Sequence, residues 1–593
     1  MDIFGLHFQN KHRRFWVLFA GLFISYLVFL GARPFDTPDE GRYVQMGMEM
    51  AGIVGTPSEI TAPNPISPER YSPESQSSEN ALKLSPWDRL ITPRLNGIKY
   101  FEKPPFIYWM LGIAAHFGGT SEFVMRLVPA LLGLAGLLGM FHFVRLLFDR
   151  RTAWHSCLVL GTSLLYFALS RVIILDMGLS VMVTMALFAT MVAFDPRYHH
   201  QRWRYQLLIY VFIALGVMTK GLVALVLTGL IIVLWMVVCR RWDVLSLLYW
   251  LPGILLFTLV AVPWHVLAAL ANPEFLNFYF IHEHFARYTS HIHGRAQPLW
   301  FFLPVLIGGF FPWIQFLPGA LKRPFQTGKS DPHVLFLLIW ASAVIFFFSL
   351  SGSKLIPYIL PAMPPLGILI ARHMQEMVSV QGTDAVSRGT KSIATKQVYW
   401  FVGILGIFLV GFLGFILYSM GVTALLASPL LLSVMGILAG GIAVSLWRQK
   451  TMAALHQTML GVVLLFYPVV ERVSVDLRRP SFKPVVTQID SQLTPQDQVM
   501  MFGRYYYELP VYFKRRIPII HPSGELLFGV VLDDAIKDTV VKDEAALQRA
   551  WQGPGKVYLF LRAADFGRLA EMQLAPAHIF VKHGLDIVVT NQK

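Results

Sequence analysis

Two acidic clusters separated by a long polar stretch contain the residues of this chain that are best suited to chemistry. The first is TPDEGRY, Thr37 to Tyr43, and the second is YFEKPP, Tyr100 to Pro105. Carboxylates can orient a substrate or take its proton, and uncompensated charge beside a membrane is costly and usually functional. We therefore expect Asp39, Glu40 and Glu102 to lie at a functional site.

Isolated charged and aromatic residues elsewhere in the chain could complete that site. They are Arg42, Lys103, Asp176, Lys220, His284, Arg287, Lys354 and Tyr358. Arginine can hold a phosphate bidentately, and lysine can hold it as a point charge. Carboxylates beside a phosphorylated lipid suit transfer at a sugar carbon, where positive charge develops in the transition state, and cations stabilise the departing phosphate. An imidazole and a carboxylate could also form a metal site.

Each of these residues also has a structural interpretation. Asp39 could cap an outer helix, and Asp176 could form an ion pair with Arg171 at a helix start. Lys220 and Lys354 could extend toward lipid headgroups, and the histidines of HEHFARYTSHIH could belong to an ordinary polar loop. The functional interpretation is favoured only by the joint position of these residues, which the membrane topology determines.

The composition indicates a polytopic membrane protein. The chain has 593 residues, of which 55% are hydrophobic and 14% charged, and apolar runs recur along it. The net charge of +15 does not indicate nucleic-acid binding, because the basic residues cluster between apolar runs, as orientation signals do. Cys157 and Cys239 each lie inside an apolar run, which argues against a disulfide framework or a cysteine metal site. The sequence contains no glycine-rich phosphate loop or nucleotide fingerprint.

We predict about thirteen membrane-spanning helices from the apolar segments. They lie near residues 15–32, 124–147, 153–170, 177–194, 206–219, 222–239, 247–271, 299–320, 333–350, 356–371, 398–420, 424–447 and 452–470. The first segment is longer than a signal-peptide core and lacks a small-residue cleavage pattern, so we expect an uncleaved helix. Phe106 to Gly118 is too short to span comfortably and predicts an interfacial or re-entrant helix.

The basic residues support this count. With the N-terminus in the cytoplasm, every dense basic cluster between spans falls on the inner side. The clusters are Arg145, Arg150 and Arg151; Arg197, Arg202 and Arg204; Arg240 and Arg241; Lys322, Arg323 and Lys329; Arg388, Lys391 and Lys396; and Arg448 and Lys450. The odd number of spans sends the C-terminal tail to the outer side. The candidate site residues then map to the same outer face, which predicts a shared cavity.

The sequence therefore predicts two domains. Residues 1–470 form a transmembrane domain, which includes an outer loop at 33–123 with interfacial helices. Residues 471–593 form a soluble α/β domain, with strands at QVMMFG, VYLFLR and HIFVKHGLDIVV and a helix at EAALQRAW. Pro57 to Pro93 is rich in Pro, Ser, Glu and Asn and predicts a flexible insertion in the outer loop.

Several motifs make the chain resemble a known family. They are, in this order, DTPDEGRYVQMGMEM, NGIKYFEKPPFIYW, RLVPALLGL, LDMGLSVMV, GVMTKGLVAL and SGSKLIPYILP. The chain resembles the integral-membrane glycosyltransferases that use polyprenyl-phosphate sugars, which form the protein O-mannosyltransferase superfamily with the GT-C fold. Within it, the chain is most similar to the bacterial transferases that add 4-amino-4-deoxy-L-arabinose to lipid A. The resemblance covers almost all of the first 480 residues.

The resemblance implies a role for each candidate residue. Asp39 and Asp176 match the family's essential outer-face aspartates and are the implied catalytic residues. The implied ligands of the substrates and their phosphates are Glu40, Arg42, Lys103, Lys220, Arg287, Lys354 and Tyr358. In the transferases that modify lipid A, a glutamate and a histidine coordinate zinc, and the matching residues here are Glu102 and His284.

Two departures from the family pattern bear on the substrates. The proline of SGSKLIPYILP is displaced by one residue relative to the family's pattern. The insertion at Pro57 to Pro93 is a further departure, and it lies in the outer loop that borders the implied site. The acceptor of this chain could therefore differ from that of its relatives.

The resemblance implies an enzyme of the bacterial inner membrane that acts at the periplasmic face. It would transfer 4-amino-4-deoxy-L-arabinose from undecaprenyl phosphate to a lipid A phosphate, by displacement with inversion. An alternative keeps the fold and transfers another sugar to a protein or another envelope glycan. A lipid transporter or flippase is a different class, but transporters place their charges near mid-membrane in repeated halves, whereas these charges map to one outer face.

Overall fold

The computed structural model of the protein describes residues 11–54, 85–279, 297–326, 331–381, 481–532, 540–574 and 576–593, and the single positions 400, 403, 440 and 444. The chain divides into two compact units. The first contains Met1–Leu30, Pro129–Val262 and His284–Val475, and the second contains Gly31–Val128, Pro263–Glu283 and Asp476–Lys593. The second unit therefore joins the first outer loop to the C-terminal tail. The domain limits at 1–470 and 471–593 stay predictions.

Helices make up most of the described chain as far as residue 381. In order they are α1 (Lys11–Leu27), α2 (Asp39–Ala51), α3 (Pro86–Ile91), α4 (Phe106–Gly118), α5 (Glu122–Leu147), α6 (Arg150–Gly161), α7 (Leu164–Leu169), α8 (Leu175–Ala193), α9 (Arg202–Lys220), α10 (Val223–Cys239), α11 (Asp243–Leu247), α12 (Trp250–Ala271), α13 (Phe302–Gly309), α14 (Leu317–Gln326), α15 (Pro332–Leu350) and α16 (Met363–Gln381). A 3-10 helix, Ile356–Ala362, precedes α16.

Among the described residues, four helices are long and apolar enough to cross a membrane, namely α5, α8, α12 and α15. A fifth span results if the bent pair Leu299–Gly309 and Ile314–Lys322 is counted as one. The predicted spans at 398–420, 424–447 and 452–470 lie almost wholly outside the described residues. The number of spans, about thirteen, therefore stays a prediction.

Two predicted spans are broken in the structure, and polar or proline residues explain both breaks. The segment 153–170 divides into α6 and α7, where the hydroxyls of Thr162 and Ser163 donate to carbonyls of the preceding turn at 2.5 and 2.7 Å. Such bonds compete with the backbone hydrogen bonds of a helix. The predicted span at 299–320 bends by 114° near Pro312, which has no N–H group to continue a helix.

Glycines of α5 allow the other helices of the first unit to approach closely. A Cβ atom at Gly133 would lie 2.4 Å from Oγ of Ser170, and one at Gly136 would lie 2.5 Å from the hydroxyl of Tyr166. That hydroxyl donates to the carbonyl of Gly133 at 2.8 Å. The segment before α8 is thus packed against α5, which fixes the helix start that carries Asp176.

The outer-loop part of the second unit is an ordered assembly of helices with a short hairpin. Strands β1 (Arg94–Leu95) and β2 (Ile98–Lys99) pair antiparallel, and α4 has the bounds expected for the predicted interfacial helix. The expectation of a flexible insertion as far as Pro93 is wrong at its end, because α3 is a helix closed by a capping box between Ser85 and Asp88. The rest of the insertion lies outside the described residues.

The described part of the tail contains both helices and strands. Its elements are α17 (Lys483–Asp490), β3 (Gln498–Phe502), α18 (Leu509–Phe513), β4 (Ile519–Ile520), α19 (Leu527–Val531), β5 (Val541–Lys542), α20 (Glu544–Gln552), β6 (Val557–Arg562), α21 (Arg568–Glu571), β7 (His578–His583) and β8 (Asp586–Thr590). Within the described residues six strands form one sheet in the order β5-β4-β3-β6-β8-β7. The first four are parallel, and the β7–β8 hairpin is antiparallel.

Helices cover both faces of this sheet. Leu547 and Trp551 of α20 pack with Leu559 and Leu561 of β6 in one core. Phe482, just before α17, packs on the opposite face against Phe560, with ring centroids 5.4 Å apart. The predicted strands at QVMMFG and VYLFLR and the helix at EAALQRAW are confirmed, whereas HIFVKHGLDIVV is two strands joined by a turn at Gly584.

Polar side chains attach the tail to the outer loop inside the second unit. The amide of Asn96 donates to the carbonyl of Ile517 and accepts from its N–H, both at 2.9 Å. Arg516 pairs with the buried Glu49 at 2.7 Å. The hydroxyl of Tyr505 donates to Gln45 of α2 at 2.5 Å. These bonds place the segment between β3 and β4 against α2 and the β1–β2 turn.

Candidate active site

The first turn of α2 presents one carboxylate outward and buries another. Asp39 and Glu40 open the helix, where the partial positive charge of the N-terminus favours acidic side chains. The side chain of Asp39 is 54% exposed, whereas that of Glu40 is fully buried. Asp39 is therefore the carboxylate of this turn that a substrate can reach.

Arg42, one turn further along α2, is the centre of a group of carboxylates. Its guanidinium lies 3.1 Å from Asp39, 2.7 Å from Glu525 and 3.9 Å from Glu102. Only 7% of its side chain is exposed. The structure thus brings Asp39, Arg42 and Glu102 together and adds Glu525 from the tail. The positive charge of Arg42 is compensated by these carboxylates, so a role as phosphate ligand stays a prediction.

Tyrosine rings enclose this group. The guanidinium of Arg42 lies 5.7 Å from the ring centroid of Tyr43 and 5.4 Å from that of Tyr507. Arg42 also donates to the hydroxyl of Tyr100 at 2.9 Å, and that hydroxyl donates to Glu525 at 3.2 Å. Burial raises the pKa of Tyr100 and raises that of Tyr507 to about 12, so both hydroxyls stay protonated near neutral pH.

Glu40 performs a structural role. Arg126 of α5 donates to both of its carboxylate oxygens, at 2.9 and 2.7 Å, and the backbone N–H of Asp36 donates to it at 2.8 Å. Burial would raise the pKa of Glu40, but Arg126 and Arg33 outweigh burial and lower that pKa to about 2. This placement argues against the predicted contact of Glu40 with substrate, because both carboxylate oxygens are occupied by protein donors.

Of the two predicted zinc ligands, Glu102 lies within the described residues. Glu102 lies in the carboxylate group around Arg42, and Lys103 donates from Nζ to the carbonyl of Glu102 at 2.7 Å. His284 lies outside the described residues, as does Arg287. Among the described residues no cluster of three or more His, Cys, Asp and Glu could hold a metal. The described carboxylates surround an arginine, so by themselves they do not form a metal site.

A second group lies in the first unit, at the junction of α8, α9 and the 3-10 helix. Lys220, the last residue of α9, pairs with Asp176 of α8 at 2.5 Å. Its ammonium lies 4.7 Å from the ring centroid of Tyr358. Both charged side chains are partly accessible, with 15% and 13% exposed. The structure thus brings three predicted residues together, and the alternative pairing of Asp176 with Arg171 is not what it shows.

Arg171 and Lys354 both donate hydrogen bonds to backbone carbonyls. The guanidinium of Arg171 donates to carbonyls at the end of α1, including that of Val28 at 2.7 Å. Lys354 donates from Nζ to the carbonyls of Ser351 and Gln297, at 2.8 and 2.9 Å. Lys354 therefore closes the C-terminal end of α15, and a contact with the carrier phosphate stays a prediction. That all the candidate residues share one cavity also stays a prediction.

The sequence interpretation missed four residues of these groups. They are Tyr100, Arg126, Tyr507 and Glu525. Tyr100 and Arg126 lie inside quoted motifs, but nothing in the sequence distinguished them from neighbouring core residues. Glu525 follows β4 by five residues, and a site at the carboxyl edge of the parallel strands was the one signal that could have identified it.

Two segments of the chain match known families. Residues 102–266 match the family described as dolichyl-phosphate-mannose-protein mannosyltransferase. Residues 485–591 match the family described as aminoarabinose transferase C-terminal domain. The first segment contains the candidate residues from Glu102 to Lys220, and the second contains Tyr507 and Glu525.

The chain is also similar to individual proteins of known name or structure. The chain is 30% identical over 372 residues to the undecaprenyl phosphate-α-4-amino-4-deoxy-L-arabinose arabinosyl transferase of Enterobacter sp. (strain 638), an alignment that covers 62% of this chain but only 60% of that relative. It is 28% identical over 554 residues to the transferase of the same name from Erwinia tasmaniensis, covering 88% of this chain and 89% of the relative. The crystal structure of ArnT from Cupriavidus metallidurans bound to undecaprenyl phosphate is 25% identical, superposes with a TM-score of 0.77, and covers 98% of both chains.

Proposed function

Because this chain belongs to the polyprenyl-phosphate-sugar-dependent membrane glycosyltransferases of the protein O-mannosyltransferase superfamily, with the GT-C fold, we propose that it transfers 4-amino-4-deoxy-L-arabinose from undecaprenyl phosphate to a lipid A phosphate. The names of its relatives support the sugar and the carrier. The acceptor rests on the resemblance to the lipid A transferases. Attachment of an amino sugar would lower the negative charge of lipid A and so its attraction for cationic antibiotics such as polymyxin.

The observation that carries the proposal is the carboxylate group around Arg42. Asp39, Glu102 and Glu525 bring three negative charges, against the positive charges of Arg42 and Lys103. This excess of negative charge suits a sugar that bears an ammonium group. Asp39 is the most exposed of the three carboxylates, so it is the one best placed to contact that sugar.

The reaction is a direct displacement at the anomeric carbon. An oxygen of the acceptor phosphate attacks that carbon, the bond to the carrier phosphate breaks, and its electron pair leaves with undecaprenyl phosphate. The acceptor phosphate is already ionised near neutral pH, so the step requires no strong general base. Asp39 then orients the sugar or pairs with its ammonium group. With a hydroxyl acceptor, Asp39 would instead have to take the proton.

Cations stabilise the departing phosphate in this proposal. Lys220 is held in place by Asp176 and by the ring of Tyr358, and it keeps part of its ammonium accessible. A pre-positioned ammonium stabilises charge that develops on the leaving oxygen without having to reorganise. Asp176 accordingly positions Lys220, and Arg287, Lys103 and Lys354 are further proposed phosphate ligands.

Zinc is part of the proposal only as an ion that Glu102 and His284 would hold together. When bound, a zinc ion would add positive charge beside the substrate phosphates. The test is the metal content of purified protein, measured by mass spectrometry for the unaltered chain and for His284→Ala. Equal zinc content in the two proteins would remove His284 from the proposal.

We further propose about thirteen spans with the active site and the tail on the periplasmic side. The distribution of basic clusters supports this orientation. Cysteine labelling with a membrane-impermeant reagent tests it. A cysteine in place of Ser491, in the tail, should react in intact spheroplasts, and one in place of Arg240 should react only after lysis.

The proposed reaction is tested by mass spectrometry of lipid A from cells with and without this chain. A mass gain that corresponds to one aminopentose is expected only with the chain present. Purified protein in detergent, supplied with the sugar-charged carrier and lipid A, should produce the same gain. Transfer to a protein, or no transfer by an otherwise folded protein, would favour the alternative acceptor or a transporter.

A further inference from the structure

The carboxyl edge of the tail's sheet carries three arginines. Arg504 follows β3 by two residues, Arg562 is the last residue of β6, and Arg568 is the first residue of α21. Strands β3 and β6 are parallel neighbours, but the chain passes from β3 to β4 on one side and reaches β6 on the other. In open α/β sheets this reversal leaves a crevice at the carboxyl ends of the strands, and ligands bind there.

The guanidinium groups of these arginines keep unused donors. Arg504 lies 3.6 Å from a carboxylate oxygen of Asp586, and Arg568 lies 3.6 Å from one of Asp565. Both distances exceed those of hydrogen bonds. In the part of the tail that the structure describes, none of the three side chains donates a hydrogen bond. Half-exposed ion pairs of this length contribute little to stability.

Aromatic rings hold two of the guanidinium groups in place. Arg504 lies 5.6 Å from the ring centroid of Tyr506, and Arg568 lies 5.1 Å from that of Phe502. The carboxylate of Asp586 already accepts a hydrogen bond from the hydroxyl of Tyr506 at 3.0 Å. Arg504 and Arg568 thus each lie beside one carboxylate, one of which is partly used, and Arg562 adds a third positive charge, so the edge keeps an excess of positive charge.

The loop after β3 begins at a glycine with a left-handed backbone conformation. Gly503 has a φ of +70°, which other residues rarely adopt, and a Cβ atom there would lie 3.8 Å from the carboxylate of Asp565. Its carbonyl accepts a hydrogen bond from the hydroxyl of Ser523 at 2.7 Å, which joins the loop after β3 to the loop after β4. The loops that leave β3 and β4 at this edge are therefore joined by a hydrogen bond next to Arg504.

The arginine edge continues into the carboxylate group around Arg42. Arg504 is three residues before Tyr507, so the Cα atoms of Arg504 and Tyr507 are at most about 11 Å apart. The ring of Tyr507 faces Arg42. The loop held by Ser523 also carries Glu525. One edge of the sheet therefore carries the three arginines close to the carboxylate group around Arg42. A disaccharide can span the distance between these two groups.

We propose that Arg504, Arg562 and Arg568 form a second anion site, which binds a phosphate of the acceptor other than the one that receives the sugar. The inference deepens the proposed function and rests on it for the identity of the acceptor. Lipid A suits such a site because its disaccharide carries phosphates at both ends. The site binds the ground state and the transition state equally, so it lowers KM for the acceptor and leaves kcat unchanged.

The test compares acceptors that differ in one phosphate. Purified full-length protein in detergent is assayed with bisphosphorylated lipid A and with a monophosphorylated form that still accepts the sugar. The unaltered protein should show a KM about tenfold or more higher for the monophosphorylated form, as expected for loss of charge-assisted hydrogen bonds. The variant R504Q/R562Q/R568Q should raise KM for bisphosphorylated lipid A by a similar factor and remove the difference, with kcat unchanged.

Arg549→Gln is the matched control, because Arg549 is an exposed arginine of α20 in the same domain. It should leave both KM values unchanged. Thermal unfolding of the two variants should agree with that of the unaltered protein, because the replaced side chains make no hydrogen bonds among the described residues. An equal rise of KM in the control and the triple variant would contradict a specific site.

A binding measurement separates this inference from the reaction itself. Calorimetry with the deacylated, bisphosphorylated disaccharide needs no sugar donor, so it gives a result even for a protein that transfers no sugar. The triple variant should bind this probe about tenfold or more weakly than the control. Equal binding overturns the inference. The inference is likewise overturned if the triple variant loses only its binding to phosphatidylglycerol vesicles, because the arginines would then hold a membrane headgroup.

Discussion

The guanidinium of Arg126 binds both carboxylate oxygens of Glu40, at 2.9 and 2.7 Å, and both side chains are fully buried. The same guanidinium donates to the carbonyls of Arg33 and Pro34, each at 2.7 Å. Glu40 and Arg126 therefore fix the segment that leads into α2. Since Asp39 is the residue before Glu40, this pair determines where the exposed carboxylate of the site lies.

Glu40→Gln should destabilise the second unit strongly. Removal of one partner from a buried ion pair leaves an uncompensated buried charge, which costs about 3–5 kcal/mol. We expect a clearly lower thermal unfolding temperature for the purified variant. The control is Glu544→Gln, which removes a carboxylate that is 46% exposed and pairs with His521, and should cost at most about 1 kcal/mol. Equal stability of the two variants would show that the buried pair does not hold the loop.

Gly41→Ala should disturb the ring that covers Arg42. A Cβ atom at position 41 would lie 3.1 Å from the backbone and Cβ of Tyr507, which is tighter than ordinary van der Waals contact. We expect Tyr507 to shift and the transfer rate to fall, while the protein remains folded. Gly567→Ala is the matched control in the tail, because a Cβ atom there meets nothing within 4 Å. Full activity of the Gly41 variant would show that the position of Tyr507 is not critical.

Glu508 should make the stability of the second unit depend on pH. Burial raises the pKa of this carboxyl from 4.5 to about 7, against the hydrogen bonds it accepts from Ser481 and the N–H of Phe482. The folded protein thus holds the proton more tightly than the unfolded chain. The resulting stabilisation is fully present below pH 4.5 and is lost as pH rises through about 7. It amounts to about 3 kcal/mol.

Thermal unfolding of the unaltered protein and Glu508→Gln, measured between pH 5 and pH 8, checks this dependence. The variant has no proton to lose at this position, so the difference in stability between the two proteins should decrease as pH rises. Glu40 does not interfere, because its lowered pKa affects stability only between pH 4.5 and about 2. A difference that stays constant across the range would contradict the assignment.

Lys220→Gln should weaken the stabilisation of the carrier phosphate. The proposal gives Lys220 the role of stabilising that phosphate, so we expect kcat/KM for the donor to fall about tenfold or more, with partial recovery in Lys220→Arg. Lys322→Gln, which removes an exposed lysine of α14, serves as control and should have no effect. An unchanged kcat/KM in Lys220→Gln would assign Lys220 a purely structural pairing with Asp176.

The sequence predicted the elements better than the contacts of the site. Periodicity and length identified α4 and the strands at QVMMFG and VYLFLR, because these depend on local patterns. The breaks near Thr162 and Pro312 are local as well, but an apolar run conceals them. Glu525 and Tyr507 reach Arg42 only because the segments that follow β3 and β4 dock against α2, and no local signal reports such long-range packing.

The different roles of neighbouring acidic residues could not be predicted from the sequence either. Asp39 and Glu40 are adjacent and chemically similar, yet the helix turns one outward and the other toward Arg126. The distinction depends on a residue of α5 that is distant in the chain. A resemblance to a family could match both carboxylates, but only the structure separates the residue that can contact substrate from the residue that positions it.

The central claim is that Asp39 acts on the sugar that this protein transfers. Sugar transfer by purified Asp39→Asn, supplied with the sugar-charged undecaprenyl phosphate and lipid A, tests it most directly. Because the side chain of Asp39 is 54% exposed, the variant should unfold at the same temperature as the unaltered protein. We predict that the mass gain of one aminopentose on lipid A is lost or reduced by about a hundredfold or more, as for a group that acts in the transition state. Transfer at the unaltered rate by the folded variant would contradict the account.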